Sequence, residues 1–290
     1  MTSTRQHASN SPVQTLLGRV ALVTGANTGI GLVTARELRR RGAHVFIACR
    51  SMARGQLALD EINRTGSHAP AEMLPLDLGD FDSIRQCAQL FLARNIPLHL
   101  LINNAGLAGS RGLTKSGFEL AFGTNHVGHF LLTQLLLERI KNSAPARIIT
   151  VASRAHTRVA GIDWEAVCKP TQTLAGLPEY GVSKLANVLF SYELARKLHG
   201  SRVTTYSLHP GVVASDVWRA VPWPVRALMK LGMISTEEGA NTTLYCALSP
   251  DAGQETGLYY DKCRERDVSK VARDNKLAAE LWRRSEDWVR

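Results

Sequence analysis

Apolar and polar positions in this chain alternate between two periods. From residue 19 onward, short runs of β-branched and aliphatic residues are followed by longer stretches whose apolar residues recur every three or four positions. The first pattern puts successive side chains on opposite faces of a strand, and the second lines one face of a helix. Strands are predicted at 19–24, 43–49, 71–76, 98–102, 147–151, 203–208 and 257–260. Helices are predicted between them at 30–41, 53–64, about 81–94, roughly 117–142, 179–198 and 236–247. Alternation of this kind requires right-handed crossovers, which lay the strands parallel and put helices on both faces. The expected fold is one α/β domain over residues 18–290, doubly wound about a parallel sheet of about seven strands. Residues 1–17 read as a flexible tail, and no repeat or second domain is visible.

Ligands of such sheets bind beyond the carboxyl ends of the strands, where the strand order reverses. Directly after the first predicted strand stands Thr24-Gly-Ala-Asn-Thr-Gly-Ile-Gly31. Glycines there let the backbone approach a pyrophosphate, and the following helix offers free N–H groups to the anion. A glycine triplet alone is a weak signal; between a strand and a helix near the N-terminus it points to a Rossmann-type dinucleotide site. The candidates in this turn are Gly25, Asn27, Thr28, Gly29, Ile30 and Gly31. The second strand ends in Ala48-Cys49-Arg50, with no carboxylate to bond a ribose 2′-hydroxyl and with a guanidinium suited to a 2′-phosphate. The expected cofactor is therefore NADP(H). Asp77, followed by Leu78, either accepts from the adenine amino group or serves as a turn aspartate. Asn104, Ala105 and Gly106 offer a small-residue floor beneath the adenosine ribose.

A second constellation concerns a proton. Tyr180 and Lys184 lie four residues apart at the start of a predicted helix, so they share one of its faces. Reducing a carbonyl with hydride needs a proton on oxygen, and a nearby cation is expected to make the tyrosine a usable acid/base. Tyr-x-x-x-Lys by itself is commonly a surface pair. Its companions are Ser153, which follows the fifth strand and can hold the substrate oxygen, and Asn125. Asn125 lies mid-helix and is expected to fix a water that joins Lys184 to solvent.

Composition narrows the partners. The chain has 290 residues, 35 basic and 25 acidic, for a net charge of +10, which suits an anionic partner. Arg36, Arg39, Arg40 and Arg41 fall on one helix and read as a solvated face; with no RNA-binding aromatic signature, no nucleic acid is expected. Five scattered cysteines without a Cys-x-x-Cys pair argue against disulfides and zinc, and His126, His129 and His209 read as packing or hydrogen-bonding residues rather than metal ligands. No stretch reads as a signal peptide or a membrane span, so a cytoplasmic location is expected, with peripheral membrane contact compatible with the charge.

Taken together, the glycine turn, Asn103-Asn-Ala-Gly106, Asn125, Ser153, Tyr180/Lys184 and Pro210-Gly211 resemble the short-chain dehydrogenase/reductase family over roughly residues 18–262. The resemblance implies Tyr180 as acid/base, Lys184 on the nicotinamide ribose, Ser153 as the orienter of substrate and oxyanion, and Asn125 as relay. It further implies that the backbone at Pro210, Gly211 and Val213 meets the carboxamide, with hydride transfer at nicotinamide C4. It also allows a homodimer through the two long helices. Ala48-Cys-Arg50, Ser183-Lys-Leu-Ala-Asn-Val-Leu-Phe190, His209-Pro-Gly-Val-Val213 and Tyr259-Tyr-Asp-Lys-Cys263 look more closely like the retinol dehydrogenase/WW-domain oxidoreductase branch. That branch implies NADPH-linked reduction of retinal or other lipophilic aldehydes. Neither the membrane anchor common in its vertebrate members nor a WW domain is seen here, and residue 152 is Ala where many relatives have Ser. A substrate lid is expected at about 214–235, where Trp218, Trp223, Leu228 and Met229 offer an apolar wall beside Arg226 and Lys230, or form an ordinary amphipathic helix. The alternatives are a steroid or polyketide-type ketoreductase and, in a different class, a catalytically silent NADP(H)-sensing or scaffold protein.

Overall fold

Val20 and Leu22 of β1 (Val20–Thr24) enter one core while Ala21 and Val23 enter another. The same period of two divides β2 (His44–Cys49), β4 (Leu100–Asn103), β5 (Ala146–Val151) and β6 (Val203–His209) between the two cores. Strands buried on both faces are the mark of a parallel sheet sandwiched by helices. α1 (Gly29–Arg40), α2 (Met52–Asn63) and α7 (Thr236–Leu248) cover one face around Ala35, Leu38, Ile62 and Cys246. α3 (Phe81–Leu92), α5 (Gly128–Asn142) and α6 (Leu177–Lys197) cover the other around Ile84, Phe91, Phe130 and Phe190. The computed structural model describes residues 15–64, 70–213 and 233–290. Most of the expected tail, and Trp218, Trp223, Arg226, Leu228, Met229 and Lys230 of the expected lid, lie outside the described residues.

With β3 (Glu72–Pro75), β7 (Leu258–Asp261) and β8 (Arg264–Glu265), the sheet runs β3-β2-β1-β4-β5-β6-β7-β8. The order reverses between β1 and β4, and this is where a crevice opens beyond the strands' carboxyl ends. Seven strands are parallel, as expected. β8 was not foreseen: it pairs antiparallel with β7 through Tyr260↔Glu265 and Asp261↔Arg264. Two exposed residues carry no readable period. Its turn, Lys262–Cys263, has positive φ at both positions but lacks the Asn-Gly signature that announces such hairpins.

The long helix expected over 117–142 is shorter and broken. It begins with α4 (Leu120–Phe122), passes through a π-helical turn at Gly123–Val127 and continues as α5. Gly117 has φ +88°, in a turn that lets Leu113 bridge Glu119. The Glu119 carboxylate then accepts the Phe122 N–H at 2.7 Å and the Thr171 hydroxyl, fixing where the helix starts. The wide turn supplies the extra residue that lets Asn125 reach the loop after β4 while Gly128 lies against the Leu78 carbonyl, where no Cβ would fit.

α8 (Asn275–Trp288) lies across α6 and reaches α5, the pair through which a homodimer was expected. Trp282 stacks on Phe190 at 5.9 Å and meets Phe130 edge-on at 5.0 Å, while Ser285 bonds His126 Nε2 at 3.0 Å. The arginines of α1 are engaged within the chain: Arg36 with Glu61, Arg40 and Arg41 with Glu37, and buried Arg39 on the Ile62 carbonyl. All five cysteines are free thiols. No described helix is long and apolar enough to cross a membrane.

Burial pushes His126 down to about 3 and His129 and His209 to about 4. In the unfolded chain these imidazoles titrate near pH 6.5, so acid protonates the unfolded state first. Their contribution is therefore complete above about pH 6.5 and is lost as pH falls towards 4, by up to about 1.4 kcal/mol per pH unit for each ring. Thermal unfolding followed by circular dichroism should show Tm dropping across that window. A Tm unchanged from pH 6.5 to 4.5 would show that these rings are not held neutral.

Candidate active site

β1 ends in Thr24, whose buried hydroxyl accepts the N–H groups of Asn104 at 2.9 Å and Ala105 at 3.0 Å. The Asn104 amide returns a bond to the Thr24 carbonyl at 2.8 Å, so the ends of β1 and β4 are stitched together at the point where strand order reverses. On the other side of the hydroxyl lies His129 Nε2 at 2.9 Å, and His129 Nδ1 lies 3.0 Å from the Asn125 carbonyl. A carbonyl only accepts, so Nδ1 carries the proton of this neutral ring and Nε2 accepts from Thr24.

The glycine turn is shaped for close approach. Gly25 has φ +67°, and a Cβ there would stand 2.8 Å from Ala105 Cα. A Cβ on Gly31 would collide with the Asn104 amide and stand 2.7 Å from the Gly25 carbonyl. The backbone thus stays bare where α1 begins, and the first N–H groups of the helix open onto the crevice. These residues, together with every other predicted cofactor contact (Asn27, Thr28, Gly29, Ile30, Arg50, Asp77, Leu78, Asn104, Ala105, Gly106, Pro210, Gly211 and Val213), line one cavity of about 900 Å³. Its far rim also carries Ser51 and Arg54, which the sequence reading passed over. Ser51 caps α2 by accepting the Arg54 N–H at 3.4 Å, a role that the capping rule would have revealed. Arg50 is exposed and stands 3.8 Å from Asp77 Oδ2. Asp77 Oδ1 accepts the Gly79 N–H at 2.9 Å, as a turn aspartate does.

Ser153, Tyr180 and Lys184 line the same cavity. Ser153 follows β5 in extended backbone, and its hydroxyl hydrogen-bonds the Tyr180 phenol. Lys184 lies one turn further along α6, with its ammonium 5.6 Å from the Tyr180 ring centre and donating to the Val151 carbonyl at 2.8 Å. Both groups are buried, and burial acts on them oppositely because it disfavours charge. The Tyr180 phenol is pushed up, with the Ser153 hydroxyl only partly countering, while Lys184 is pushed down to about 7. The expected lowering of the tyrosine by its lysine neighbour is not what this structure shows. The lysine points to a carbonyl, and desolvation wins at the phenol.

Asn125 does not line the cavity. Its amide donates to the Leu107 carbonyl at 3.0 Å and to Ser183 Oγ at 2.9 Å, and its oxygen accepts the Leu107 N–H at 2.9 Å. Ser183 donates in turn to the Tyr180 carbonyl at 2.8 Å. The side chain expected to hold a relay water therefore clamps the loop after β4 to the first turn of α6. Arg154, Ala155, Arg158, Val159, Leu177 and Val212 are among the other residues that line the cavity.

A family model for short chain dehydrogenases matches residues 19–223. Retinol dehydrogenase 12 of Mus musculus is 45% identical over 273 residues, which cover 91% of this chain and 84% of that protein. An uncharacterised protein from Mycobacterium paratuberculosis superposes with a TM-score of 0.74 at 33% identity, over 95% of this chain and 94% of its own. The Pseudomonas aeruginosa RhlG/NADP active-site complex superposes with a TM-score of 0.68 at 27% identity, over 86% and 96%. With a sheet that reverses at β1/β4, a bare glycine turn and a Ser/Tyr/Lys cluster at one crevice, the chain belongs to the short chain dehydrogenase family and is an NAD(P)(H)-dependent oxidoreductase acting on carbonyl or alcohol groups.

Proposed function

We propose that the chain is an NADP(H)-dependent reductase of lipophilic aldehydes, retinal among them, with Tyr180 as the proton donor. The observation that carries this reading is that Ser153, Tyr180 and Lys184 line the same cavity as the bare glycine turn. The dinucleotide fits the residues present: Gly25 and Gly31 leave the room that a Cβ would fill, and the start of α1 faces that room. Gly25, Asn27, Thr28, Gly29, Ile30 and Gly31 would hold the pyrophosphate, and Asp77, Leu78, Asn104, Ala105 and Gly106 the adenosine. Lys184, Pro210, Gly211 and Val213 would hold the nicotinamide end. The bound cofactor supplies or takes up a hydride at its nicotinamide.

Arg50, Ser51 and Arg54 favour the 2′-phosphorylated form, because this rim offers two guanidinium groups and a helix start. Ser153 holds the carbonyl oxygen through its hydroxyl. Tyr180, kept neutral by burial at physiological pH, gives its proton to that oxygen as the C–H bond forms. Val159, Leu177 and Val212 give the substrate end an apolar wall, and the retinol dehydrogenase relative supports a greasy aldehyde over a small polar one. The clamp that Asn125 makes on Leu107 and Ser183 keeps the loop, Tyr180 and Lys184 in register.

The first test is NADPH oxidation at 340 nm with all-trans-retinal and a medium-chain aldehyde. Tyr180→Phe should lower kcat at least about a hundredfold with little change in cofactor Kd. A mutant that keeps parental turnover would remove Tyr180 from the chemistry. Arg50→Ala should raise KM for NADPH about tenfold and leave NADH nearly unchanged, the size of one exposed charge-assisted phosphate contact; equal effects on both would assign Arg50 no part in the preference. Because burial raises the phenol, alcohol oxidation should accelerate with rising pH, whereas carbonyl reduction should hold steady through neutrality. Opposite slopes in paired pH–rate profiles would contradict this assignment.

A further inference from the structure

The charged residues that line the cavity are Arg50, Arg54, Asp77, Arg154, Arg158 and Lys184. The chemistry above gives Arg50 and Arg54 to the 2′-phosphate and Lys184 to the nicotinamide end. Asp77, the one carboxylate among them, is held by the Gly79 N–H and stands 3.8 Å from Arg50. Arg154 and Arg158 are left without a task. Arg154 Nε stands 3.7 Å from Asp261 Oδ2, while the exposed Arg158 guanidinium has no hydrogen bond or ion pair among the described residues.

Local structure sets both arginines on the cavity. The chain leaves Ser153 directly into a 3₁₀ turn, Arg154–Arg158, and in such a turn side chains three positions apart eclipse one another. Arg158 therefore follows Ala155, whose N–H donates to Ser153 Oγ at 3.2 Å and which itself lines the cavity. His156 takes the inward side: it is buried, its ring meets Tyr259 edge-on at 5.0 Å, and its Nδ1 lies 2.7 Å from the Ser153 carbonyl. The turn is also seated on the start of α6. A Cβ on Gly181, next to Tyr180, would stand 2.9 Å from Val159 Cγ1 and 3.3 Å from the Ala155 carbonyl. Arg158 is thus held at a set distance from the reacting groups, roughly 10 Å along the turn from Ser153 at about 2 Å per residue. Val159, Leu177 and Val212 supply apolar surface in the same cavity.

We propose that Arg158, with Arg154 on the same turn, binds a carboxylate at the far end of the substrate. The preferred substrates are then lipophilic aldehydes that end in an acid, the medium-chain ω-oxo carboxylates. The proposal rests on the reading of the site as an aldehyde reductase and names its substrate class. A guanidinium matches a carboxylate through two parallel N–H···O bonds, and one unpaired guanidinium suits one such group. The aldehyde oxygen meets Ser153 and Tyr180, the hydrocarbon chain lies on the apolar surface, and the acid reaches Arg158. Hydride adds to the carbonyl carbon and the Tyr180 proton to its oxygen, so the product is the ω-hydroxy carboxylate and the acid keeps its charge throughout. An apolar chain alone slides along an apolar wall; a charge fixed at one end holds the aldehyde in register with the phenol. A chain too short to span the turn gains nothing from Arg158.

The test measures NADPH oxidation with a medium-chain ω-oxo carboxylate and with its methyl ester, which differ only in the charge. The parent enzyme should favour the acid about tenfold in kcat/KM, the size of one charge-assisted contact at a partly solvated site. Arg158→Ala should raise KM for the acid about tenfold, keep its kcat, and leave both constants for the ester at parental values. Arg158→Glu should invert the preference, and Arg158→Lys, which keeps the charge but not the fork, should fall between. Added salt should erode the preference for the acid and spare the ester. In calorimetry, the ω-hydroxy carboxylate should bind the NADPH-loaded protein about tenfold more weakly in Arg158→Ala than in the parent. Ester and acid reduced with equal kcat/KM by the parent would overturn the proposal while leaving the aldehyde reductase reading intact, as would an Arg158→Ala effect of equal size on both. Reduction of neither compound, nor of retinal, would overturn that reading and the proposal with it.

Discussion

The Thr24 hydroxyl holds together the one place where the sheet changes direction. It accepts two backbone N–H groups from the turn after β4 and donates to His129, which donates to the Asn125 carbonyl. Every one of these groups is partly or wholly withdrawn from water, so each would carry an uncompensated penalty of about 1–3 kcal/mol if its partner were removed. The string runs from the glycine turn to the π-helical turn, and through Asn125 and Ser183 on to the backbone of Tyr180. The glycine turn and the Ser153/Tyr180/Lys184 cluster are therefore positioned by one continuous set of bonds. A neutral His129 is required throughout, because a charged ring could not accept from Thr24. Burial supplies that neutrality.

The same withdrawal from water governs the reactive groups. Desolvation raises the Tyr180 phenol and lowers the Lys184 ammonium, which drives apart two groups that titrate close together in solution. The phenol thus keeps its proton at neutral pH while the lysine yields one there. The Ser153 hydroxyl, bonded to the phenol, partly counters its rise. A +10 chain also draws a polyanionic cofactor towards this crevice, whose rim carries Arg50 and Arg54.

Much of this was legible in the residues. Alternating periods of two and three-to-four predicted seven parallel strands and their helices to within a few positions, because burial on both faces leaves long apolar runs that no other arrangement explains. The glycine turn announced itself through spacing, and Tyr180 and Lys184 through sharing a helix face. Other features were hidden for identifiable reasons. The break at Gly123–Val127 depends on Glu119 capping Phe122 and accepting from Thr171, 52 residues away, so the helical period ran on through it. β8 depends on two positive-φ residues without glycine. The partners of the Asn125 amide were hidden too, because Leu107 and Ser183 lie far from it along the chain.

By itself, then, the sequence determined what repeats or is local: the order of elements, the bare turn for a pyrophosphate, and the i, i+4 pairing of phenol and ammonium. These follow from backbone geometry and from side-chain spacing along a single element. The tertiary structure decided everything that depends on long-range contact and on distance from water. It set the carbonyl on which Lys184 rests, the direction in which Tyr180 shifts, the tautomer of His129, and the turn that brings Arg154 and Arg158 to the cavity shared by Ser153 and Tyr180. Ionisation and hydrogen-bond satisfaction are properties of an environment, and that environment exists only once β5, β6, β7 and α6 have packed together.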